Sequence, residues 1–237
     1  VARSADGVHF ETLAVIGKED MDTASLERPA LVRTQAGTWR LYLSCATEGS
    51  KHWRVEVIEA GHPGDFDARS RRTVLPGDAR TAVKDPVIVL EDGRWHLWAS
   101  VHPLEDPDQT DRMVTDYASS TDGLDWTWHG TALSPRPGEW DARGVRVSAV
   151  RLDGAGVVAY YDGRATAEEN FEERTGVATG AKPAALTAVD AAGVAGSPYG
   201  LGGLRYLSIL DLGDSRERWY YEMTRADGAH EVRTELR

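Results

Sequence analysis

The sequence predicts an all-β chain, a single β-propeller domain over residues 1–237. Three observations carry this. Aromatic and β-branched segments recur at a regular spacing, turn residues bound each of them, and helical patterning is nearly absent.

The clearest markers are TWRLYLS from Thr38, RWHLWAS from Arg94, GVVAYYDG from Gly156 and RWYYEM from Arg218. Their anchor positions, Trp39, Trp95, Val157 and Trp219, lie 56, 62 and 62 residues apart, a period typical of repeat architectures. A strand precedes each marker: RPALVRT, DPVIVLE, RVSAVRL and LRYLSIL. These are apolar enough to be inner strands packed on both faces. A third strand follows each: HWRVEVIEA, MVTDYASS, RTGVATG and HEVRTEL. WTWHGTAL reads as a fourth strand. Mostly four-stranded antiparallel units at this period are propeller blades. The first residues, ARSADGVHFE, resemble ASSTDGLDWT at 118–127, the end of a third strand followed by an Asp-Gly hairpin and an outer strand. The expected count is therefore four blades and half of a fifth, a five-bladed propeller with an incomplete N-terminal blade. Only TAEENFEERTG, residues 166–176, has helix-like composition, and it suits a loop or single turn equally well.

The formal charge of −11 argues against nucleic-acid binding, which needs a basic face, and against an anionic membrane surface. No apolar run is long enough for a membrane-spanning helix. The single cysteine, Cys45, excludes an internal disulfide and a cysteine metal site. No signal-peptide pattern opens the chain, so a cytoplasmic location is expected, or a secreted one if a leader has been removed. A carbohydrate or other small polar ligand fits this charge best.

In a propeller, ligands bind where the innermost strands begin. The segments there are LERP (26–29), VKDP (83–86), WDARGVR (140–146) and GGLRY (202–206). They offer Glu27, Asp85 and Asp141 as catalytic carboxylates. Arg28, Lys84, Arg143, Arg146 and Arg205 are cationic binding groups, and Trp140 and Tyr206 are aromatic ones. Glycosidic hydrolysis needs a proton donor and a base or nucleophile, roles that carboxylates in contrasting environments fill. Carboxylates also grip sugar hydroxyls, and aromatic faces suit sugar rings. The bland reading is that Glu27–Arg28 and Lys84–Asp85 are ion pairs at strand entrances, and that Asp141 is a turn residue. Pro29 and Pro86 fix the chain just before a strand.

Asp162 and Arg164 leave a strong strand, and Glu222 holds the matching place in the last repeat. All three are candidate substrate contacts, as is His102 after HLWASVH. The run Glu168, Glu169, Glu172, Glu173 reads as a solvated face. His230 follows a hairpin and is expected outside. No metal motif, phosphate loop or dinucleotide fingerprint occurs, so no metal or cofactor is expected.

The Asp85–Pro86 step opening an inner strand resembles the Asp-Pro elements of five-bladed glycoside hydrolases: arabinanases, xylosidases, invertases, levanases and other β-fructosidases, together with bacterial glycosidase-like proteins. The hairpin SSTDGLDWTW is similar to their Ser-x-Asp-Gly-x-x-Trp turn and to the sialidase Asp-box, although its spacing departs from the latter. The resemblance implies three carboxylates: a base or nucleophile on the first blade, a middle Asp that orients substrate or tunes the acid, and a later Glu as general acid. Asp85 matches the middle Asp, with Lys84 in place of the usual Arg. Glu27 stands one step further from its proline than the pattern has it. No Glu-Cys-Pro or Glu-Gly-Pro follows Asp85, and Asp141 is the nearest substitute. A glycoside hydrolase is the leading expectation, with a non-catalytic carbohydrate-binding or scaffolding propeller as the alternative.

Overall fold

The computed structural model describes residues 1–152, 154 and 156–237. Among these it contains strands and two single-turn 3-10 helices, Ala68–Ser70 and Pro107–Gln109, and no α-helix. The fold is a β-propeller of four antiparallel blades. The first blade is β3 (Leu26–Arg33), β4 (Trp39–Ala46), β5 (Trp53–Ala60) and β6 (Arg72–Leu75), and the second is β7 (Thr81–Glu91), β8 (Arg94–Pro103), β9 (Val114–Ser120) and β10 (Thr127–Leu133). The third is β11 (Gly144–Leu152), β12 (Val157–Arg164), β13 (Arg174–Lys182) and β14 (Ala185–Ala188), and the fourth is β15 (Leu204–Gly213), β16 (Arg216–Thr224) and β17 (His230–Leu236).

The count of five blades is corrected to four. The N-terminal piece is a ribbon of two short strands, β1 (Ala2–Arg3) and β2 (Glu11–Thr12), which among the described residues pair only with each other. Its likeness to the β9–β10 hairpin is physical. In both loops a serine hydroxyl accepts the amide of the glycine three residues on, Ser4 from Gly7 at 2.8 Å and Ser120 from Gly123 at 2.9 Å. In both, the aspartate accepts two further amides, Asp6 from Val8 and His9 and Asp122 from Leu124 and Asp125. Residues 165–171 form turns and bends, not a helix.

The chain gathers into two compact units, Val1–Thr110 with Tyr117–His129, and Asp111–Asp116 with Gly130–Arg237. In the first unit the strand period of two sorts β4 into two cores. Leu41, Leu43 and Cys45 pack with Met21, Ile58 and Ala68, while Tyr42 packs with Val55, Val57, Trp95 and Leu97. In the first unit the second strands β4 and β8 each bury a run of six residues. β3 is less covered than its sequence suggests, and its Leu31 is 44% exposed. A first strand at a sheet edge has one neighbour, so its side chains are less enclosed.

Two turns decide how blade two forms. Asp92 (φ 48°) and Gly93 (φ 79°) are both left-handed, the geometry of a tight hairpin that matches strand twist, and they join β7 to β8. Gly123 (φ 73°) lies against the Trp95 indole, where an added Cβ would sit 2.7 Å from the ring. Its carbonyl accepts the buried Tyr42 hydroxyl at 2.8 Å. Burial pushes the Tyr42 phenol up to about 12, with Arg40 opposing.

Gly123→Ala should lose about 2–4 kcal/mol in urea unfolding, because backbone strain and overpacking act together. Gly93→Ala meets only the movable Gln35 side chain and should lose about 1–2 kcal/mol. The raised Tyr42 value means that stability is full below the unfolded tyrosine value near about 10 and declines as pH rises through about 12. Tyr42→Phe should cost about 1 kcal/mol at neutral pH and make the alkaline decline shallower. An unchanged alkaline limb in pH-dependent unfolding would count against this assignment.

Candidate functional site

All four inner strands carry a β-bulge near their start. Register slips between Glu27 and Ala30, Lys84 and Val87, Val147 and Ala149, and Arg205 and Ser208. At three of them a non-glycine residue is left-handed: Arg28 (φ 40°), Asp85 (φ 54°) and Tyr206 (φ 57°). A bulge leaves one residue unpaired and re-aims side chains, and such backbone costs about 1–3 kcal/mol per residue. Pro29 and Pro86 sit inside β3 and β7 at these bulges, not before the strands as expected. There the missing N–H breaks no ladder bond. The bulges bring Glu27, Lys84, Arg146 and Arg205 to matching positions, opposite Ser44, Ser100, Asp162 and Glu222.

In the first unit, Lys84 joins the two leading carboxylates. Its ammonium contacts the Glu27 carboxylate and lies 3.9 Å from Asp85 Oδ1. The Trp53 ring, 4.1 Å away at its centroid, faces the same ammonium. Asp85 is 1% exposed, and its amide donates to Ser44 Oγ at 2.9 Å. Glu27 is the open member, with 38% of its side chain exposed. His102 donates from Nδ1 to the Thr110 carbonyl at 2.8 Å, which ties β8 to the loop after it.

In the second unit, Asp162, Arg146, Arg164, Arg205, Tyr206 and Glu222 come together. They do so around a residue the sequence reading put on a solvated face, Glu173. Its Oε1 accepts Arg164 Nη1 at 2.9 Å and lies 3.9 Å from Arg146 Nη2, while Oε2 lies 3.4 Å from Arg205 Nη1. Asp162 accepts Arg146 Nε and Nη2 at 3.2 and 3.1 Å and the Tyr206 amide at 3.2 and 3.1 Å. Arg205 also pairs with Glu222. Glu173 is buried because three guanidiniums draw it in. Burial pulls Arg164 below the usual arginine value, with Glu173 and Asp111 opposing.

Two more of the glutamate run divide. Glu168 is exposed. Glu172 is mostly covered, taking the Thr224 hydroxyl and the Gly203 amide, each at 2.8 Å. Burial works to raise Glu172, but bonds from His230, Thr224 and Gly203 outweigh it and hold the carboxyl below the usual range. His230 is exposed, as expected, and its ring reaches two carboxylates, with Nε2 3.1 Å from Glu172 and Nδ1 3.5 Å from Glu222.

Arg143 forks onto Asp111 at 2.8 and 2.7 Å, and Arg164 donates to the Asp111 carbonyl at 3.0 Å. Arg143 also lines a concavity of about 530 Å³ with Arg112, Ala142, Thr166 and Glu168. Trp140 and Asp141 lie elsewhere in this unit and are buried. Trp140 stacks on Tyr161 with centroids 5.6 Å apart. Asp141, 0% exposed, accepts Arg136 Nε at 3.0 and 2.9 Å and the Tyr161 hydroxyl at 2.8 Å. Burial, then Asp141, raise the Tyr161 phenol. Among the described residues no cluster of three or more His, Cys, Asp or Glu has metal-binding geometry.

Sequence reading missed Glu173, Trp53 and Asp111. The surplus of arginines in the third and fourth repeats was the available signal for Glu173, since buried guanidiniums need a buried anion.

Glu173→Gln leaves three buried guanidiniums short of their anion and should lose about 3–5 kcal/mol in chemical unfolding. Glu168→Gln, on the surface, should stay within about 0.5 kcal/mol of wild type. Equal effects would contradict the burial of Glu173.

No protein-family model matches the sequence, and no curated protein matches it. Solved structures do resemble it. A glycosyl hydrolase from Bacteroides ovatus superposes with a TM-score of 0.69 at 14% identity, over 99% of this chain and 73% of that one. β-1,2-Mannobiose phosphorylase from Listeria innocua gives 0.67 at 19% identity, over 99% of this chain and 65% of its own. α-L-Arabinofuranosidase from Lactobacillus brevis gives 0.66 at 13%, over 94% and 71%. The chain thus spans just under two thirds of the length of the mannobiose phosphorylase. At these identities the likeness is one of fold, shared with propeller proteins of the glycoside hydrolase and phosphorylase type.

Proposed function

We propose that the chain acts on a glycosidic bond of a small glycoside or oligosaccharide, with Asp85 and Glu27 at the reacting centre. The observation that carries this is the Glu27–Lys84–Asp85 group. A strained bulge holds one carboxylate buried at Asp85, a second and more open one stands at Glu27, and a single ammonium lies between them. Strain of this kind persists where function needs the geometry. Lys84 orients both acids. Glu27, open to solvent, is the group that reaches substrate or water. Asp85 sets the orientation of the substrate, the role its Asp-Pro step implies. Trp53 limits the motion of Lys84. Asp141, buried on Arg136 and Tyr161, we assign to holding the loop at 134–143 rather than to the reacting atoms. Within the second unit, the Arg146–Asp162 and Arg205–Glu222 pairs, with Arg143, are proposed as a separate set of groups that bind sugar hydroxyls; Arg28, in the first unit, is proposed as a binding group there. The fold likeness to both hydrolases and a phosphorylase supports glycosidic chemistry and leaves the acceptor, water or phosphate, to experiment.

A second reading, a carbohydrate-binding propeller without turnover, draws on one observation. Glu27, Asp141, Asp162, Glu173 and Glu222 each face a cation, an arrangement that suits gripping and orienting more than proton donation.

The test is a screen of aryl-glycosides and manno-, arabino-, xylo- and fructo-oligosaccharides, with and without inorganic phosphate. On any compound the wild type turns over, Asp85→Asn should lose at least about 100-fold in kcat/KM. A variant within about threefold of wild type would remove Asp85 from the mechanism. Binding without turnover would favour the second reading.

A further inference from the structure

Phe171 is explained neither by packing nor by the groups above. It is 57% exposed, and its backbone is left-handed, with φ 69°. For a bulky side chain that conformation is an outlier, and glycine would take it without strain. Its neighbours show how it is held. Asn170 accepts Arg164 Nη1 at 2.5 Å. The Glu172 amide donates to the Glu169 carbonyl at 2.8 Å, and the Glu172 carboxylate is fixed by Thr224 and Gly203. Glu173 is fixed by Arg164 and Arg205. The chain on both sides is anchored, and the residue between is a large aromatic side chain left mostly in water. Burial returns little for that ring, so nothing in the packing offsets the backbone strain, and it is the strain that points to function.

One cation faces the ring. The Arg205 guanidinium lies 5.3 Å from its centroid and 4.7 Å from that of Tyr206, and Arg146 lies 4.2 Å from Tyr206. Cations and rings alternate, Arg146, Tyr206, Arg205, Phe171, and the series ends on an aromatic side chain that is more than half open.

We infer that Phe171 is a platform for a sugar ring at the outer end of the Arg205–Glu222 group, an inference that rests on the carbohydrate reading above. A sugar ring has an apolar C–H face and a hydroxylated rim, which suits one open aromatic face beside charged hydrogen-bonding groups. A quaternary ammonium ligand would need several rings around it, and here a guanidinium already stacks on Phe171. A carboxylated ligand would seek Arg205, which is committed to Glu173 and Glu222.

The experiment compares wild type with Phe171→Ala, Phe171→Gly and Phe171→Trp. Binding of β-1,2-mannobiose, arabinobiose, xylobiose and sucrose is followed by calorimetry, and stability by thermal unfolding. For a sugar the wild type binds, the alanine and glycine variants should weaken binding about tenfold or more, and the tryptophan variant should stay within about threefold. The glycine variant should melt about 2–4 °C above the alanine variant, because only glycine relieves the strain. Intact binding by Phe171→Ala overturns this inference alone. A glycine variant no more stable than the alanine variant removes the strain on which the inference stands. Wild type that binds none of the four sugars overturns the carbohydrate reading, and this inference with it.

Discussion

The bulge near the start of each inner strand is the constraint from which the candidate site follows. An unbroken antiparallel ladder alternates side chains strictly between two faces, so neighbouring residues point apart. By slipping register at Glu27/Ala30, Lys84/Val87, Val147/Ala149 and Arg205/Ser208, the chain leaves charged residues where the ladder is interrupted. Three of these interruptions hold a non-glycine residue in the left-handed region. The same device serves different chemistry in each blade. In the first two it sets an ammonium between two carboxylates, and in the last two it sets guanidiniums against Asp162, Glu173 and Glu222.

The buried charges follow from those positions. A guanidinium that leaves water needs an anion with its lone pairs aimed correctly, since an unpaired buried charge costs several kcal/mol. Arg146, Arg164 and Arg205 therefore share Glu173, and Asp162 accepts both Arg146, on Oδ2, and the Tyr206 amide. Such a network favours one geometry over others more than it adds net stability. Each unit keeps one of these side chains open, Glu27 in the first and Phe171 in the second.

Much of the fold was legible because its signals are local. Trp39, Trp95 and Trp219 mark second strands by residue type alone, and Asp92-Gly93 encodes a tight turn. The Ser4–Gly7 likeness to Ser120–Gly123 is a matter of matching hydroxyl, carboxylate and glycine at fixed offsets. The blade count was not legible to the same degree, because one shared loop motif does not make a blade: among the described residues β1 and β2 pair with nothing beyond each other. The short strands β6 and β14, four residues each, carry too little pattern to stand out. In the site, Lys84-Asp85-Pro86 was readable through its proline, whereas the equivalent bulge at Tyr206 has none. Glu173 was misread because its burial is set by partners distant in sequence, Arg146 and Arg205.

The account stands on the idea that these bulges exist to build a sugar-acting site. The most direct measurement is a crystal structure of the Asp85→Asn protein soaked with an oligosaccharide that the wild type turns over or binds. The account predicts a sugar ring with a hydroxyl or its glycosidic oxygen in hydrogen-bond reach of Glu27 or residue 85. A sugar bound in the crystal with both residues untouched, and Lys84 still holding Glu27 as it does without ligand, would contradict it.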